Sequence, residues 1–145
     1  MQIDPRLHAI DDCMYRVAVK ALIIQDDRVL LVKETPEMWW GIPGGGINHG
    51  ENIKSALYRE INEEIGVPED EIASDFQLVY FNIGHVVNGI PRTNMFFKIS
   101  LPKKLIAKTN HATEWNWFTS NEFMELNMSP SFDDRQQLAN AIFNK

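Results

Sequence analysis

Three glutamates, Glu60, Glu63 and Glu64, fall together in the stretch Arg59-Glu60-Ile61-Asn62-Glu63-Glu64-Ile65. From Asn52 to Ile65 the apolar residues Ile53, Ala56, Leu57, Ile61 and Ile65 recur three and four apart, which predicts a helix that buries one face. At about 100° per residue, Glu60 lies close to Ile53 and Glu64 between Ala56 and Leu57, inside the apolar arc, with Glu63 at its edge. An unpaired charge taken out of water costs several kcal/mol or neutralises. Carboxylates this close also repel, and a raised pKa, a basic partner or a bound cation relieves them. Arg59 can pair with Glu63 four residues on, but one arginine does not neutralise three acids. A divalent cation such as Mg2+, which takes carboxylate oxygens while keeping waters and substrate phosphates, is the natural missing partner. The competing reading, a solvated acidic face, fits poorly because such a face would not coincide with the apolar stripe.

The segment before this helix must position it. Gly44, Gly45 and Gly46 follow Pro43, and Gly50 precedes Glu51. Such a loop lets backbone approach a ligand closely, and a helix start offers N–H groups and a positive dipole end to an anion. On this reading Gly45 and Gly46 meet substrate phosphate. Taken alone, the glycines would be a tight turn.

Gly45, five residues, Glu51, seven residues and then Arg59 to Val67 resembles the signature box of the MutT-like Nudix hydrolase family, with every fixed position matched. Trp40-Gly41-Ile42-Pro43-Gly44-Gly45 is similar to the approach to that box, and Glu114 with Trp117 to a later acid-and-tryptophan segment. The resemblance implies an α/β (α+β) sandwich, a mixed sheet between helices with the box as loop, helix and loop. It implies hydrolysis of a nucleoside diphosphate linked to another group, by water attack at phosphorus with Mg2+, or alternatively Mn2+, bound. Glu60 and Glu64 are then the first metal ligands, Glu63 the next, and the Gly44 carbonyl a further oxygen ligand. The general base is Glu63 or Glu60, with Glu114 as the candidate outside the box. Arg59 orients the carboxylates, and Glu51 braces the loop and the metal shell. A homodimer is common in the family, though no residue here points to one.

The remaining composition narrows the class. A chain of 145 residues is one ordinary domain, and 20 acids against 14 bases give a net charge of −6, which argues against non-specific binding to nucleic acid or anionic membrane. Cys13, the single cysteine, has no internal disulfide partner and reads as inert, which suits a reducing compartment. No signal-peptide pattern or membrane-length apolar run occurs, so a soluble cytoplasmic protein is expected.

In chain order, residues 1–13 read as a loose arm or short edge element, and His8 as a surface residue. The runs Tyr15–Ile24 and Val29–Lys33, separated by Asp26-Asp27, predict a buried hairpin, and Glu34–Glu37 an exposed loop. Trp40 is expected to pack beneath the glycine loop, while Trp39 is read as stacking on a nucleobase or as core or lid. Gly66 suits a helix C′ position. Phe76–Gly84 and Thr93–Leu101 flank Asn88-Gly89, a hairpin signal with His85 nearby, read as a surface residue or a substrate contact. Lys103, Lys104 and Lys108 are solvated or meet a distal phosphate. Trp115–Phe118 predicts a last strand, Thr119 to Glu122 a capping box, and a final helix starts near Ser131 with Asp133 and Asp134 in its first turn.

The substrate is less marked. In the family, ADP-ribose hydrolases carry a proline and dinucleoside polyphosphate hydrolases a tyrosine about fifteen to seventeen residues past the box. Asn82, Ile83 and Gly84 occupy that window, so a nucleoside triphosphate is favoured, with nucleotide sugars behind. An RNA 5′-end pyrophosphohydrolase and a silent nucleotide-binding regulator are the readings from other classes.

Overall fold

Strand β1 (Arg16–Gln25) turns into β2 (Arg28–Glu34) through Asp26 and Asp27, whose φ values of 51° and 56° are the left-handed pair that a tight hairpin turn demands. The computed structural model describes residues 2–34, 38–102, 104–105, 108–109 and 114–144. Of the predicted loop Glu34–Glu37, Glu34 is instead the last residue of β2 and the rest falls outside them, as do the predicted phosphate contact of Lys103 and the side chain of Lys108.

The hairpin is paired for only two registers, Ile24 with Val29 and Gln25 with Arg28, before β1 and β2 part. Into the fork run β3 (Trp39–Gly41), which pairs with β2, and β4 (Gly44–Gly46), which pairs antiparallel with β1 from Ala18 to Lys20. The glycine run is therefore a short strand rather than a loop. Close approach of two backbones is what its missing side chains permit. A Cβ on Gly44, at φ +139°, would stand 2.0 Å from the Val19 carbonyl oxygen.

Strands β5 (Gln77–Val87) and β6 (Ile90–Ile99) form the second hairpin, turning at Asn88 and Gly89. β5 runs past its predicted end because Gly84, at φ 102°, takes up a register shift between Ile83 and His85. β6 pairs parallel with β1, β8 (Glu114–Phe118) antiparallel with β2, and β7 (Lys108–Thr109) with β8. The result is one mixed sheet in the order β5-β6-β1-β2-β8-β7.

Both faces of the sheet are covered, which is why Ala18 to Ile23 of β1 are all buried. Helix α1 (Ile53–Ile65) lays Ala56, Leu57, Ile61 and Ile65 against Val19, Ala21 and Ile23. Helices α2 (Ser120–Glu125) and α3 (Arg135–Phe143) pack Phe123, Leu138 and Ile142 against Leu22 and Phe96 on the other side. Each fully buried Leu or Ile is worth about 1.5–3 kcal/mol, so α1 is fixed firmly relative to β1 and β4.

Three local expectations change. The N-terminal arm is a 3-10 turn, Pro5–Ala9, capped by Asp4, whose amide donates to the Gly89 carbonyl at 2.6 Å. Trp40 packs edge-on to Phe118, centroids 4.8 Å apart, with Lys33 over its ring, and not beneath the glycines, because alternation along β3 turns it to the α2 face. The last helix starts at Arg135 after a 3-10 turn at Pro130–Phe132, which leaves Asp133 ahead of the helix and Asp134 at its N-cap. Among the described residues no helix is long and apolar enough to cross a membrane.

Candidate active site

Helix α1 is locked at both ends. Asn52 and Ser55 form a reciprocal capping box, each side chain accepting the other's backbone N–H at 2.9 Å, and Gly66 closes the C-terminus at φ 78°. The cap occupies the Ser55 amide, one of the N–H groups at the helix start.

Arg59 is the hub of the box. Its Nε and Nη2 donate to the two oxygens of Glu51 at 2.8 and 2.9 Å, its Nη1 to Glu60 at 2.7 Å, and its Nη2 to the Gly46 carbonyl at 3.0 Å. Glu51 also accepts from the Asn48 amide at 2.8 Å, and with Arg59 beside it its pKa is held down to about 2. Glu51 thus braces the glycine segment against the helix and is spent on that pairing. Glu63 lies 3.5 Å from Arg59 Nη1 with its side chain 58% exposed, and the three glutamates that the sequence sets together do not bring their carboxylate oxygens within 4.8 Å of one another, because Glu63 points out to solvent.

Glu60 and Glu64 are the inward pair, as their place on the apolar arc predicts. Glu60 is 14% exposed at the side chain and sits against Gly45, where an added Cβ would come within 2.4 Å of Glu60 Oε1. Glu64 Oε1 accepts the Gly44 amide at 3.0 Å. Burial pushes Glu64 up to about 8; the Gly44 N–H and the Lys20 charge pull the other way, while a hydrogen bond with Glu60 adds to the rise. Burial and the neighbouring Glu60 keep this carboxyl protonated, and a cation bound in place of the proton would relieve the pair. Glu60, Glu64 and the Gly44 carbonyl offer hard oxygen donors, a set that fits Mg2+ or Mn2+.

A cleft of about 420 Å3 is lined by Lys20, Trp39, His85, Arg92, Ser129 and Phe132 among others, and neither Glu60 nor Glu64 lines it. Lys20 joins the two regions, since its Nζ reaches the Gly44 carbonyl at 3.4 Å and stands 5.4 Å from the Phe132 ring centroid. Trp39 lines the cleft. His85 turns out to be a cleft residue, with Nε2 3.4 Å from Asp133. Beneath it, Asp134 accepts from the Tyr80 hydroxyl, and from Asn82 at 3.0 Å. Among the described residues His85, Asp133 and Asp134 are the one group to bring three ligand-type atoms within 4.8 Å of one another.

Glu114 stands apart. It is the first residue of β8, in register with Lys33, whose Nζ lies 4.0 Å from its carboxylate. Lys104 pairs with Asp26 at the first hairpin. Sequence reasoning missed Lys20 and Arg92. A lysine inside the apolar run of β1 was the available signal for the first; nothing short-range marks the second.

The profile of the NUDIX domain matches residues 14–139. The RNA pyrophosphohydrolase of Ruthia magnifica is 43% identical over 65 residues, which are 44% of this chain and 36% of that protein, so the match spans about a third of that relative's length. The RNA pyrophosphohydrolase of Francisella philomiragia is 29% identical over 136 residues, 86% of this chain and 78% of the relative. The crystal structure of a MutT NUDIX hydrolase from Burkholderia pseudomallei superposes with a TM-score of 0.67 at 25% identity, covering 86% of this chain and 98% of the other.

Proposed function

This chain belongs to the NUDIX domain family, and from that membership we propose that it is a divalent-metal-dependent hydrolase cleaving a phosphoanhydride bond of a nucleoside triphosphate. The observation that carries the reading is the pairing of Glu60 with Glu64 beside the Gly44 backbone, with Glu64 protonated by burial. Glu60, Glu64 and the Gly44 carbonyl would hold Mg2+, or Mn2+ in its stead. The bound cation supplies neutralisation of phosphate charge and an acidified water.

The remaining work falls to the chain. Arg59 keeps Glu60 in its rotamer against Gly45, so the donors are oriented before substrate arrives. Glu63 acts as general base: it is exposed, held only at 3.5 Å, and free to take the proton of the attacking water, whereas Glu60 is engaged by Arg59. Glu114, paired with Lys33, is the weaker candidate. Trp39 stacks on the base. The absence of the proline and tyrosine markers at Asn82 to Gly84 supports a triphosphate over ADP-ribose or a dinucleoside polyphosphate.

A second reading, hydrolysis at the 5′-triphosphate end of RNA, is supported by the names of the Ruthia and Francisella relatives. The net charge of −6 weighs against an extended RNA groove. The single, exposed Cys13 suits a cytoplasmic site of action. Turnover of nucleoside triphosphates, ADP-ribose, a nucleotide sugar and 5′-triphosphate RNA, each with Mg2+, with Mn2+ and with chelator, tests the assignment. Metal-dependent turnover of the free triphosphates supports it, and metal-dependent turnover of RNA alone replaces it with the second reading.

A further inference from the structure

Arg92 begins its strand's pairing with β1 in register with Arg16, and Lys20 is paired with Phe96 in the same parallel ladder. Residues two and four apart on a strand share a face, so Arg16, Lys20 and Arg92 put three cations on one side of the sheet. Two of them are answered. Arg16 Nη1 donates to the Ile47 carbonyl at 2.7 Å, and its charge reaches Glu51; Lys20 bonds the Gly44 carbonyl and packs on Phe132. His85, across the cleft, faces Asp133.

Arg92 differs. Its Nε is shut off from solvent with no acceptor, and among the described residues no acid pairs with it. Burial and the neighbouring Arg16 both press its pKa below the ordinary arginine value. A half-buried guanidinium facing a like charge destabilises the fold, and such features survive where a ligand needs them. Arg92 also lines the cleft of about 420 Å3 that Lys20 connects to Gly44. Lys20 and Arg92 line the same cleft, so a phosphate chain whose near end meets Lys20 beside Gly44 can present its far end to the guanidinium.

We propose that Arg92 is a specificity-determining binding residue that receives the substrate phosphate lying outside the bond being broken. It selects triphosphate ends over nucleoside diphosphates whose second group is an uncharged sugar, through the paired N–H donors that match a phosphate's oxygens. The inference rests on the hydrolase reading for its place in a reaction, but the anion site can be measured without turnover.

The test is calorimetric titration of inorganic tripolyphosphate, in chelator, into the wild type, Arg92→Met and the distant control Lys54→Gln. It is paired with Mg2+-dependent kinetics on a nucleoside triphosphate, a 5′-triphosphate RNA and a nucleotide sugar. Arg92→Met is expected to weaken tripolyphosphate at least tenfold and Lys54→Gln less than twofold. The kcat/KM for the preferred triphosphate source should fall at least tenfold, mainly through KM, and that for the nucleotide sugar less than threefold. The larger loss identifies free nucleotide or RNA end as the source. The variant's Tm should equal or exceed that of the wild type. Equal tripolyphosphate binding by Arg92→Met and wild type, no binding by either, equal losses on charged and uncharged substrates, or a lowered Tm would each overturn the inference. Arg92-dependent binding without any wild-type turnover would defeat the hydrolase reading and leave the anion site standing.

Discussion

Replacing Glu64 with glutamine should make the metal-free protein more stable at alkaline pH while disabling it. In the folded chain burial lifts this carboxyl from 4.5 to about 8, so the native state binds its proton more tightly than the unfolded chain does. Its favourable contribution is complete below the unfolded value near 4.5, fades as pH rises through the window to about 8, and is gone above it. At ~1.4 kcal/mol per pKa unit, the span from 4.5 to about 8 sets a ceiling of roughly 5 kcal/mol. Glu64 is only partly buried and shares the effect with Glu60, so on the order of 2 kcal/mol is the sounder figure. For a domain of this size that is about 4–8 °C in Tm. Thermal unfolding in chelator from pH 5 to pH 9 should show the wild type falling relative to Glu64→Gln by that amount, with the curves converging at acidic pH. Adding Mg2+ at pH 8 should raise the wild-type Tm and leave the variant unmoved, since only a ligand of the native state stabilises it. Parallel pH profiles, or near-normal turnover by the variant at saturating Mg2+, would refute both the burial argument and the ligand role.

Three further outcomes follow from the same geometry. Gly45→Ala places a Cβ 2.4 Å from Glu60 Oε1, the end of a flexible side chain, so turnover should fall at least ~10-fold with Tm little changed, as kinetics and thermal unfolding together will show. Gly44→Ala meets the Val19 backbone oxygen at 2.0 Å and must hold φ +139°, so a loss of ~3 kcal/mol or more, read as a collapse in denaturant midpoint, is expected. Trp39→Ala should raise KM for nucleotides about 5- to 100-fold while leaving calorimetric binding of inorganic tripolyphosphate unchanged, because that ligand has no base to stack.

The short-range signals in the chain read well. The stripe Ile53, Ala56, Leu57, Ile61, Ile65 fixed both the helix and the inward turn of Glu60 and Glu64, and the capping box at Thr119 and Glu122 formed as predicted. The dipeptides Asp26-Asp27 and Asn88-Gly89 marked both hairpins because turn chemistry is local. What escaped depends on pairing between distant segments. The fork that makes a strand of the three glycines, the parallel ladder that sets Arg92 beside Arg16, and the turn of Trp40 towards Phe118 are properties of the sheet order. Periodicity along one segment carries no information about its neighbour. Asp133 and Asp134 read as first-turn acids for the same reason, since their partners Tyr80, Asn82 and His85 lie on another hairpin.

The metal-dependent hydrolase assignment stands or falls on pyrophosphate and phosphate release from a nucleoside triphosphate by the wild type and by Glu60→Gln, Glu63→Gln and Glu64→Gln, with Mg2+, with Mn2+ and with chelator. Metal-dependent release by the wild type is expected, abolished by chelator and reduced by all three substitutions. Release that persists in chelator, or that survives the loss of both Glu60 and Glu64, would contradict it.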